Sequence, residues 1–364
     1  MKKLFCVLLV ANLLLLSACA NIADVNSNSQ TTPEQSATDG DSPDANQNTD
    51  ESEASSYLVV ENAFAGEQII DGLTIVDSVV NFSDENLVEI TIPDGVVMIF
   101  DLGYCGNVTS ITIPDSVQAI SASAFNYCNP DLIVTYKGIE YTPRYGENDV
   151  YGIYDVVNNS FEYDLLVVDS KVVYCNRNAK DITIPNTITK IDGYAFDECT
   201  SLTSVTIPNS VTDIGAYAFH GCISLSSVTI PDSITAIDIG TFSGCSNLSS
   251  VNIPDNVVSI GSAAFVLCAK LTSFTIPDSV TKIGSVAFSK CTGLTSITIP
   301  DGVTKIEMMT FSGCSNLISI TIPDSVVEIE QGVFDGCDKL TIRCSSGSIA
   351  ERYAIENYIP YVLI

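Results

Sequence analysis

The side chains in this sequence most capable of nucleophilic, redox or metal-binding chemistry are those of 13 cysteines and a single histidine, His220. Seven of the cysteines stand 23 residues apart, at Cys199, Cys222, Cys245, Cys268, Cys291, Cys314 and Cys337. Neighbouring strands of a sheet lie about 4.8 Å apart, so a stacked repeat would bring successive thiols close together. The column could be buried core, partly oxidised pairs or a metal array. The absence of any C-x-x-C motif favours the core.

His220 precedes Cys222 by two residues, which raises the possibility of a Cys–His pair for nucleophilic catalysis. Cys222 belongs to the cysteine column, however, and no acidic residue stands at a defined spacing to orient the imidazole. A single histidine also excludes a metal site built from several histidines. We therefore predict no catalytic residue, no metal site and no cofactor, and we expect His220 to be an exposed or packed side chain.

A second column is acidic and directly follows a proline in each copy. Its members are Asp94, Asp115, Asp232, Asp255, Asp278, Asp301 and Asp324. Stacked carboxylates could bind divalent cations, whereas carboxylates within turns accept backbone N–H groups. Asn186 and Asn209 replace Asp in two copies, and an amide serves a turn equally well. This exchange favours the turn.

Small polar side chains form two further columns, which we predict to face solvent. The first column is Ser204, Ser227, Ser250, Ser273, Ser296 and Ser319. The second is Thr206, Thr229, Asn252, Thr275, Thr298 and Thr321. The exposed sheet of a repeat protein is a common binding surface. These columns are candidate binding residues, although they lack the aromatic and arginine anchors that dominate binding energy.

Residues 129–184 interrupt the repeat and hold seven of the 15 tyrosines. The candidate binding residues here are Tyr136, Tyr141, Arg144, Tyr145, Tyr151 and Tyr154. Tyrosine beside arginine is typical of protein interfaces, and insertions in solenoids often lie at binding surfaces. The alternative is that these aromatic residues only pack a joint between two repeat blocks. The alternation from Phe161 to Tyr174 predicts a hairpin with its turn at Asp169 and Ser170.

The elements that position these residues follow from the 23-residue period. Residues 202–207 alternate as a strand does, and Pro208 ends that strand because it has no N–H to donate. Ala218, Phe219 and Cys222 follow at helical spacing and predict a short helical or 3₁₀ turn. Nine copies are recognisable, two before residue 129 and seven after residue 184. The pattern predicts a solenoid with a parallel sheet along one face.

The repeat pattern L-x-x-[VI]-x-I-P-[DN]-x-[VI]-x-x-I-x-x-x-x-F-x-x-C resembles the BspA-type, or Treponema pallidum-type, leucine-rich repeat of bacterial surface proteins. The resemblance implies a leucine-rich repeat solenoid of about nine 23-residue repeats, with short helical or 3₁₀ turns or short strands opposite the sheet. It also implies protein ligands, with host extracellular-matrix or plasma proteins among them. Residues 348–360 look like the closing segment of that family, and predict a short amphipathic helix and a final strand.

The amino terminus predicts export. Lys2 and Lys3 precede an apolar run from Leu4 to Leu16, which is too short to span a bilayer. The following Ser17-Ala18-Cys19 resembles a bacterial lipobox, which implies cleavage before Cys19 and lipidation of that residue. Residues 20–56 contain eight acids and no aromatic residue, which predicts a disordered tether. We therefore expect a lipoprotein on the extracellular face, bound to the membrane through its lipid alone.

These patterns divide the chain into seven segments. They are a signal peptide (1–18), a lipidated cysteine with an acidic linker (19–56), an amino-terminal cap (57–86), two repeats (87–128), a tyrosine-rich irregular β insert (129–184), seven repeats (185–342) and a carboxyl-terminal cap (343–364).

The charge and hydrophobic content of the chain restrict the functions that it can have. The 44 acidic residues against 15 basic ones give a formal charge of −29, which opposes nucleic-acid binding. At 46% hydrophobic and 16% charged residues, the chain nevertheless has enough apolar material for a folded core. We expect a non-enzymatic surface lipoprotein that binds proteins, in adhesion or host interaction. The alternatives are a polysaccharide-binding lipoprotein and a structural envelope scaffold without a specific ligand.

Overall fold

The structure is a computed structural model that describes residues 55–60, 64–84, 86–102, 106–121, 124–125, 128–129, 131–141, 157 and 163–364. All of these residues belong to one compact unit. The expected signal peptide, Cys19 and almost all of the acidic linker lie outside the described residues.

Short strands dominate the secondary structure. In chain order, the first ten are β1 (Tyr57–Val60), β2 (Glu67–Ile70), β3 (Leu73–Val76), β4 (Val79–Ser83), β5 (Glu89–Thr91), β6 (Met98–Ile99), β7 (Ser110–Ile113), β8 (Ala119–Ile120), β9 (Ile133–Tyr136) and β10 (Ile139–Tyr141). The next are β11 (Leu165–Val168), β12 (Lys171–Cys175), β13 (Asp181–Thr183), β14 (Lys190–Ile191), β15 (Ser204–Thr206), β16 (Asp213–Ile214), β17 (Ser227–Thr229), β18 (Ala236–Ile237), β19 (Ser250–Asn252) and β20 (Ser259–Ile260). The last are β21 (Lys282–Ile283), β22 (Ser296–Thr298), β23 (Lys305–Ile306), β24 (Ser319–Thr321), β25 (Glu328–Ile329), β26 (Thr341–Cys344), helix α1 (Ile349–Glu356) and β27 (Tyr361–Leu363).

Most repeats contribute one strand to each of two walls. Wall A contains the three-residue strands such as β17 and β19, and wall B contains the two-residue strands such as β18 and β20. Pairing within both walls is parallel, and the partners stand one repeat apart, as Ser227 does from Ser250. The coil makes about eleven turns, so the predicted leucine-rich repeat solenoid and its parallel sheet are confirmed.

In the described turns the third side consists of single turns with hydrogen bonds from residue i+3 to residue i, so of the short helical or 3₁₀ turn expected from Ala218, Phe219 and Cys222 the turn is present but no continuous helix forms. His220 N–H donates to Tyr217 O at 3.0 Å, but Tyr217 and Gly221 adopt φ values of +58° and +68°. Left-handed residues four positions apart stop a helix from continuing. The backbone instead bonds to the next repeat, as in the 2.9 Å bond from Phe219 N–H to Thr241 O.

Stacked aromatic rings and thiols fill the interior between the three sides. One phenylalanine per repeat stacks on the next, with ring centroids 4.7–5.9 Å apart from Phe196 to Phe334. The seven cysteines of the column are buried beside them as free thiols. Cys128 of the earlier repeats is disulfide-bonded, and none of the other described cysteines is its partner.

The repeats form two blocks with separate cores. The first block comprises residues 64–141 and Val157, and the second comprises residues 163–364 together with β1. A third cluster, here called the joint core, contains Val79, Val97, Met98 and Ala119 of the first block and Leu166, Val168, Val173 and Tyr174 of the second. Two sheets therefore bury apolar faces against each other where the blocks meet.

The segments at 57–86 and 129–184 differ from their expected roles. β1 pairs in parallel with β11 of the second block, so only β2, β3 and β4 form an antiparallel cap on the first block. Within the supposed insert, β9 extends wall A of the first block and β13 begins wall A of the second. β9 adds a turn to the nine that the sequence predicts, and it escaped the count because no proline follows it. β13 belongs to the copy with Pro185 and Cys199, which is already among the nine, so only its strand fell inside the supposed insert.

Two local predictions are confirmed. β11 and β12 form the expected antiparallel hairpin, and its turn residues Asp169 and Ser170 have φ values of +48° and +60°. At the other end of the second block, α1 buries Ala350 and Ala354, and β27 pairs with β26. No helix in the described part of the chain is long and apolar enough to cross a membrane.

Candidate binding surface

The two columns of small polar residues lie on the outer face of wall A, as the alternation predicts. In β17, for example, Val228 points inward while Ser227 and Thr229 are exposed. Ten of the twelve candidate residues are exposed, and Ser319 and Thr321 are half-buried. Five strand spacings of about 4.8 Å give each column a length of about 24 Å. We call this surface the hydroxyl face.

The hydroxyl face has unused hydrogen-bonding capacity. Ser204 donates to the Asp181 carboxylate at 2.7 Å, whereas the other eleven candidates, all within the described residues, have no side-chain hydrogen bond to the protein. The neighbouring column behaves differently, because Thr203, Ser249 and Thr295 donate their hydroxyls to backbone carbonyls of the preceding repeat at 3.0–3.2 Å. The two columns of the hydroxyl face are therefore the ones whose side chains are available for hydrogen bonds to a ligand.

Charged residues flank the hydroxyl face at its two ends. At one end, hydrogen bonds from Ser204 and Thr203 lower the pKa of the Asp181 carboxyl. At the other end, Arg343 is exposed and pairs with Thr321 across β24 and β26. The face between them carries no charge in its two columns.

One repeat breaks the regular pairing of wall A. Phe274 occupies the inward position that other copies fill with Val or Ile, and its ring packs edge-on against Phe265 and Phe288 with centroids 4.9 Å away. Ser273 and Ser296 form only an isolated bridge there. The larger ring displaces the strand from regular pairing, but Ser273 and Thr275 stay exposed.

The structure separates the candidate residues of the tyrosine-rich segment. Arg144, Tyr145, Tyr151 and Tyr154 lie outside the described residues. Tyr136 is only 3% exposed and belongs to the first core, while Tyr141 is half-buried against it. Tyr136 is therefore a packing residue, because a ring buried in the core cannot anchor a partner.

His220 has an acidic partner, so the expectation of no acid at a defined spacing was wrong. Its Nδ1 lies 2.8 Å from Oδ1 of Asp197, which precedes it by one 23-residue period. Burial lowers the imidazole pKa, but the hydrogen bond and charge of Asp197, with the charge of Glu198, raise it overall. The 23-residue separation of Asp197 and His220, which places them at the same position in successive repeats, was the sequence signal that could have revealed this pair. The neighbouring Cys222 thiol donates to Phe196 O at 3.1 Å.

The post-proline acids do not act as the turn acceptors that we expected. Among the described residues, the exposed carboxylates of Asp232, Asp255, Asp278, Asp301 and Asp324 accept no hydrogen bond from the protein. The serine directly after the aspartate forms a hydrogen bond instead, and that bond joins two repeats. Ser279 and Ser325 donate to backbone carbonyls of the preceding repeat at 2.6 and 3.0 Å. No group of three or more His, Cys, Asp or Glu in the described chain is arranged to hold a metal ion.

Comparison with known proteins identifies the repeat. A family model described as "BspA type Leucine rich repeat region" matches residues 74–145, 168–295 and 259–357 in six copies. No curated protein matches the chain.

Several solved structures are similar to it. A leucine-rich repeat protein of T. pallidum shares 27% identity over 53% of this chain and 89% of its own, with a TM-score of 0.45. A leucine rich cell surface protein from Faecalibacterium prausnitzii A2-165 shares 27% identity over 76% of each chain, with a TM-score of 0.36. The pneumococcal vaccine antigen PcpA shares 14% identity over 82% of this chain and 98% of its own, with a TM-score of 0.35.

Proposed function

Because the chain belongs to the BspA-type leucine-rich repeat family, we propose that it is a non-catalytic binding protein of the bacterial cell surface whose hydroxyl face contacts a protein ligand. The observation that carries the proposal is the set of eleven wall A side chains without an internal hydrogen-bond partner. Surface localisation is supported by the description of the F. prausnitzii relative as a cell surface protein.

The chemistry of the face favours a protein over a polysaccharide. None of its twelve side chains is aromatic, so it offers no ring on which a sugar can stack. Its hydroxyls can both donate and accept, which suits the mixed donors and acceptors of a polypeptide. Two columns about 24 Å long and about 7 Å apart cover only part of the roughly 800 Å² that each partner of a standard protein interface buries, so neighbouring surface of wall A must also contribute. Affinity would come from many modest contacts.

A paired substitution tests the hydroxyl face. Thr229→Lys with Thr275→Lys places two long cations on the outer column of wall A. The matched control is Thr235→Lys with Thr281→Lys, which changes the same exposed residue types at the same two-repeat separation on wall B. We expect the first pair to abolish capture of immobilised matrix or plasma proteins by the purified chain, while the control pair retains it.

Three outcomes would overturn this proposal. If both pairs bind protein ligands equally well, the hydroxyl face does not carry binding. If the chain binds a glycan panel but no protein, the polysaccharide alternative is correct. A chain that binds neither would support the structural scaffold.

We also propose that Cys19 carries the lipid anchor, on the basis of the lipobox-like Leu16-Ser17-Ala18-Cys19. Two or more acyl chains hold a protein stably at a bilayer, where one chain is marginal. Cys19→Ser should therefore move the protein from the membrane fraction into the medium. The hypothesis fails if the variant stays membrane-bound.

A further inference from the structure

A cavity of about 320 Å³ lies where the two blocks meet. The first block contributes Val79, Met98 and Phe100 to its wall, and the second contributes Val173 and Tyr194. Ligand pockets generally begin at about 300 Å³, so this cavity suits one small molecule or one long side chain. Because its lining residues come from both blocks, no other turn in the described part of the solenoid repeats this set of side chains.

The aromatic wall of the cavity is held firmly. The Phe100 and Tyr194 ring centroids are 4.9 Å apart, and Tyr217 stacks on Tyr194 at the same distance. Tyr217 in turn lies over Gly240, where a Cβ atom would stand 2.2 Å from its ring. The absence of a side chain at Gly240 thus makes room for the stack. Preorganised rings of this kind bind a partner at a low entropic cost.

The polar side of the cavity is negative. Asp192 and Asn81 supply its polar lining residues. Lys190 pairs with Asp192 at 3.0 Å but also with Asp213 at 3.3 Å, so one cation serves two carboxylates. The pKa of Tyr194 is raised, mainly by burial and further by Tyr217, Asp197 and Asp101; of these carboxylates, Asp197 already pairs with His220. With a chain charge of −29, the cavity attracts cations.

Apolar walls, aromatic rings and a carboxylate that shares its lysine with a second carboxylate together fit a cation that has an aliphatic stem. We propose that the joint cavity binds a lysine or arginine side chain of the protein ligand. The stem packs between Val79, Met98 and Val173, and the charged end lies at Asp192. This inference rests on the proposed function, because it assumes that the ligand is a protein.

The test uses a small probe in place of the unidentified ligand. N-acetyl-lysine methylamide is titrated into the full-length chain and followed by saturation-transfer NMR. N-acetyl-norleucine methylamide, which lacks the ammonium group, serves as the neutral control. We expect the lysine probe to bind about tenfold more tightly, because only its ammonium group can pair with Asp192; tenfold corresponds to about 1.4 kcal/mol. Equal binding of the two probes would overturn the proposal.

Two variants locate the site. Asp192→Asn should weaken lysine binding severalfold, whereas Asp278→Asn, which removes an equal charge from an exposed turn, should not. Tyr194→Leu should also weaken it, and the fold tolerates aliphatic residues there because Val286 and Met309 occupy the same left-handed position in later repeats. Unchanged binding in both Asp192→Asn and Tyr194→Leu would place the probe elsewhere and contradict the inference.

Failure of the cavity inference can be distinguished from failure of the proposed function, because the lysine-probe titration and the hydroxyl-face substitutions are independent experiments. If the lysine probe binds at Asp192 while Thr229→Lys with Thr275→Lys leaves protein capture intact, the hydroxyl face is refuted and the cavity stands. If the paired lysines abolish capture but the probe does not bind, the cavity inference alone fails.

Discussion

At the scale of single residues, the cysteine column is explained by packing and hydrogen bonding. From Cys222 to Cys337, each thiol donates to the backbone carbonyl of a phenylalanine 26 residues earlier, at 3.1–3.2 Å. The thiol is small enough for the core and still satisfies a carbonyl that lies at the end of a turn. Burial raises the thiol pKa to about 12 at Cys314 and to about 11 at Cys337.

These thiols should be chemically silent in the folded protein. The reactive species is the thiolate, and a buried thiol with a raised pKa forms almost none of it at neutral pH. We expect iodoacetamide to leave Cys291 and Cys314 unmodified in the native state and to alkylate both in guanidinium chloride. Peptide-level mass spectrometry measures the difference. Rapid native alkylation of either cysteine would contradict the assignment to the core.

His220 is a second residue whose environment has a measurable consequence. Its pKa is raised above 6.5 when folded, so it contributes stability that is fully present below that pH and is lost as the pH rises through the folded value. The chain has no other histidine, so its imidazole signal in an NMR spectrum is unambiguous.

We predict that Asp197→Asn lowers the pKa of His220 below that of the parent, because burial then opposes the charged imidazole with less compensation. The free energy of unfolding in urea should fall in the parent as the pH rises above about 6.5 and through the folded pKa of His220, and this fall should shrink in the variant. Asp232→Asn, in an exposed turn, is the control. An imidazole that titrates identically in both variants would show that Asp197 is not its partner.

At the scale of elements, the turns on the third side depend on left-handed backbone. The column of Tyr194, Tyr217, Gly240, Ala263, Val286, Met309 and Gly332 has φ values between +54° and +70°. Only two of the seven are glycine, so the residue types alone did not reveal the conformation, and the spacing of Ala218, Phe219 and Cys222 suggested a short helical or 3₁₀ turn. Hydrogen bonds between successive repeats hold these positions, and such bonds are invisible in a single copy.

Two glycines distinguish backbone strain from a steric clash. Gly240 and Gly244 both have positive φ, at +62° and +76°. A Cβ at Gly240 would meet the Tyr217 ring at 2.2 Å, whereas one at Gly244 would approach nothing closer than 3.4 Å. Gly244→Ala should cost about 1 kcal/mol of unfolding free energy from strain. Gly240→Ala should cost a further 1–3 kcal/mol or so because the ring must move. Equal losses in urea denaturation would contradict this packing.

At the scale of the whole molecule, the period predicted the fold within each block but not how the blocks meet. Strand positions, inward residues and the hydroxyl face follow from a local alternation that every copy repeats. The joint core does not, because Val97, Met98 and Leu166 look like ordinary strand residues and their partners are about 70 residues away. The pairing of β1 with β11 is similarly non-local, and it made residues 57–60 look like part of a cap.

The joint core should couple the stability of the two blocks. Leu166 is fully buried there, and truncating a buried leucine to alanine costs about 2–5 kcal/mol. Leu294 is equally buried, but it lies within the second core and away from the joint. Substitution of these two residues therefore removes the same atoms from two different places.

We predict that Leu166→Ala accelerates amide hydrogen exchange in both blocks, in peptides that contain β6 and β8 as well as in those that contain β11 and β12. Leu294→Ala should accelerate exchange around β22 and leave the first block protected, because repeats contact mainly their neighbours. Mass spectrometry of exchanged peptides resolves the two patterns. If Leu166→Ala affects only the second block, the joint core is too weak to couple the blocks, and the cavity between them would lack the rigid wall that ligand binding there requires.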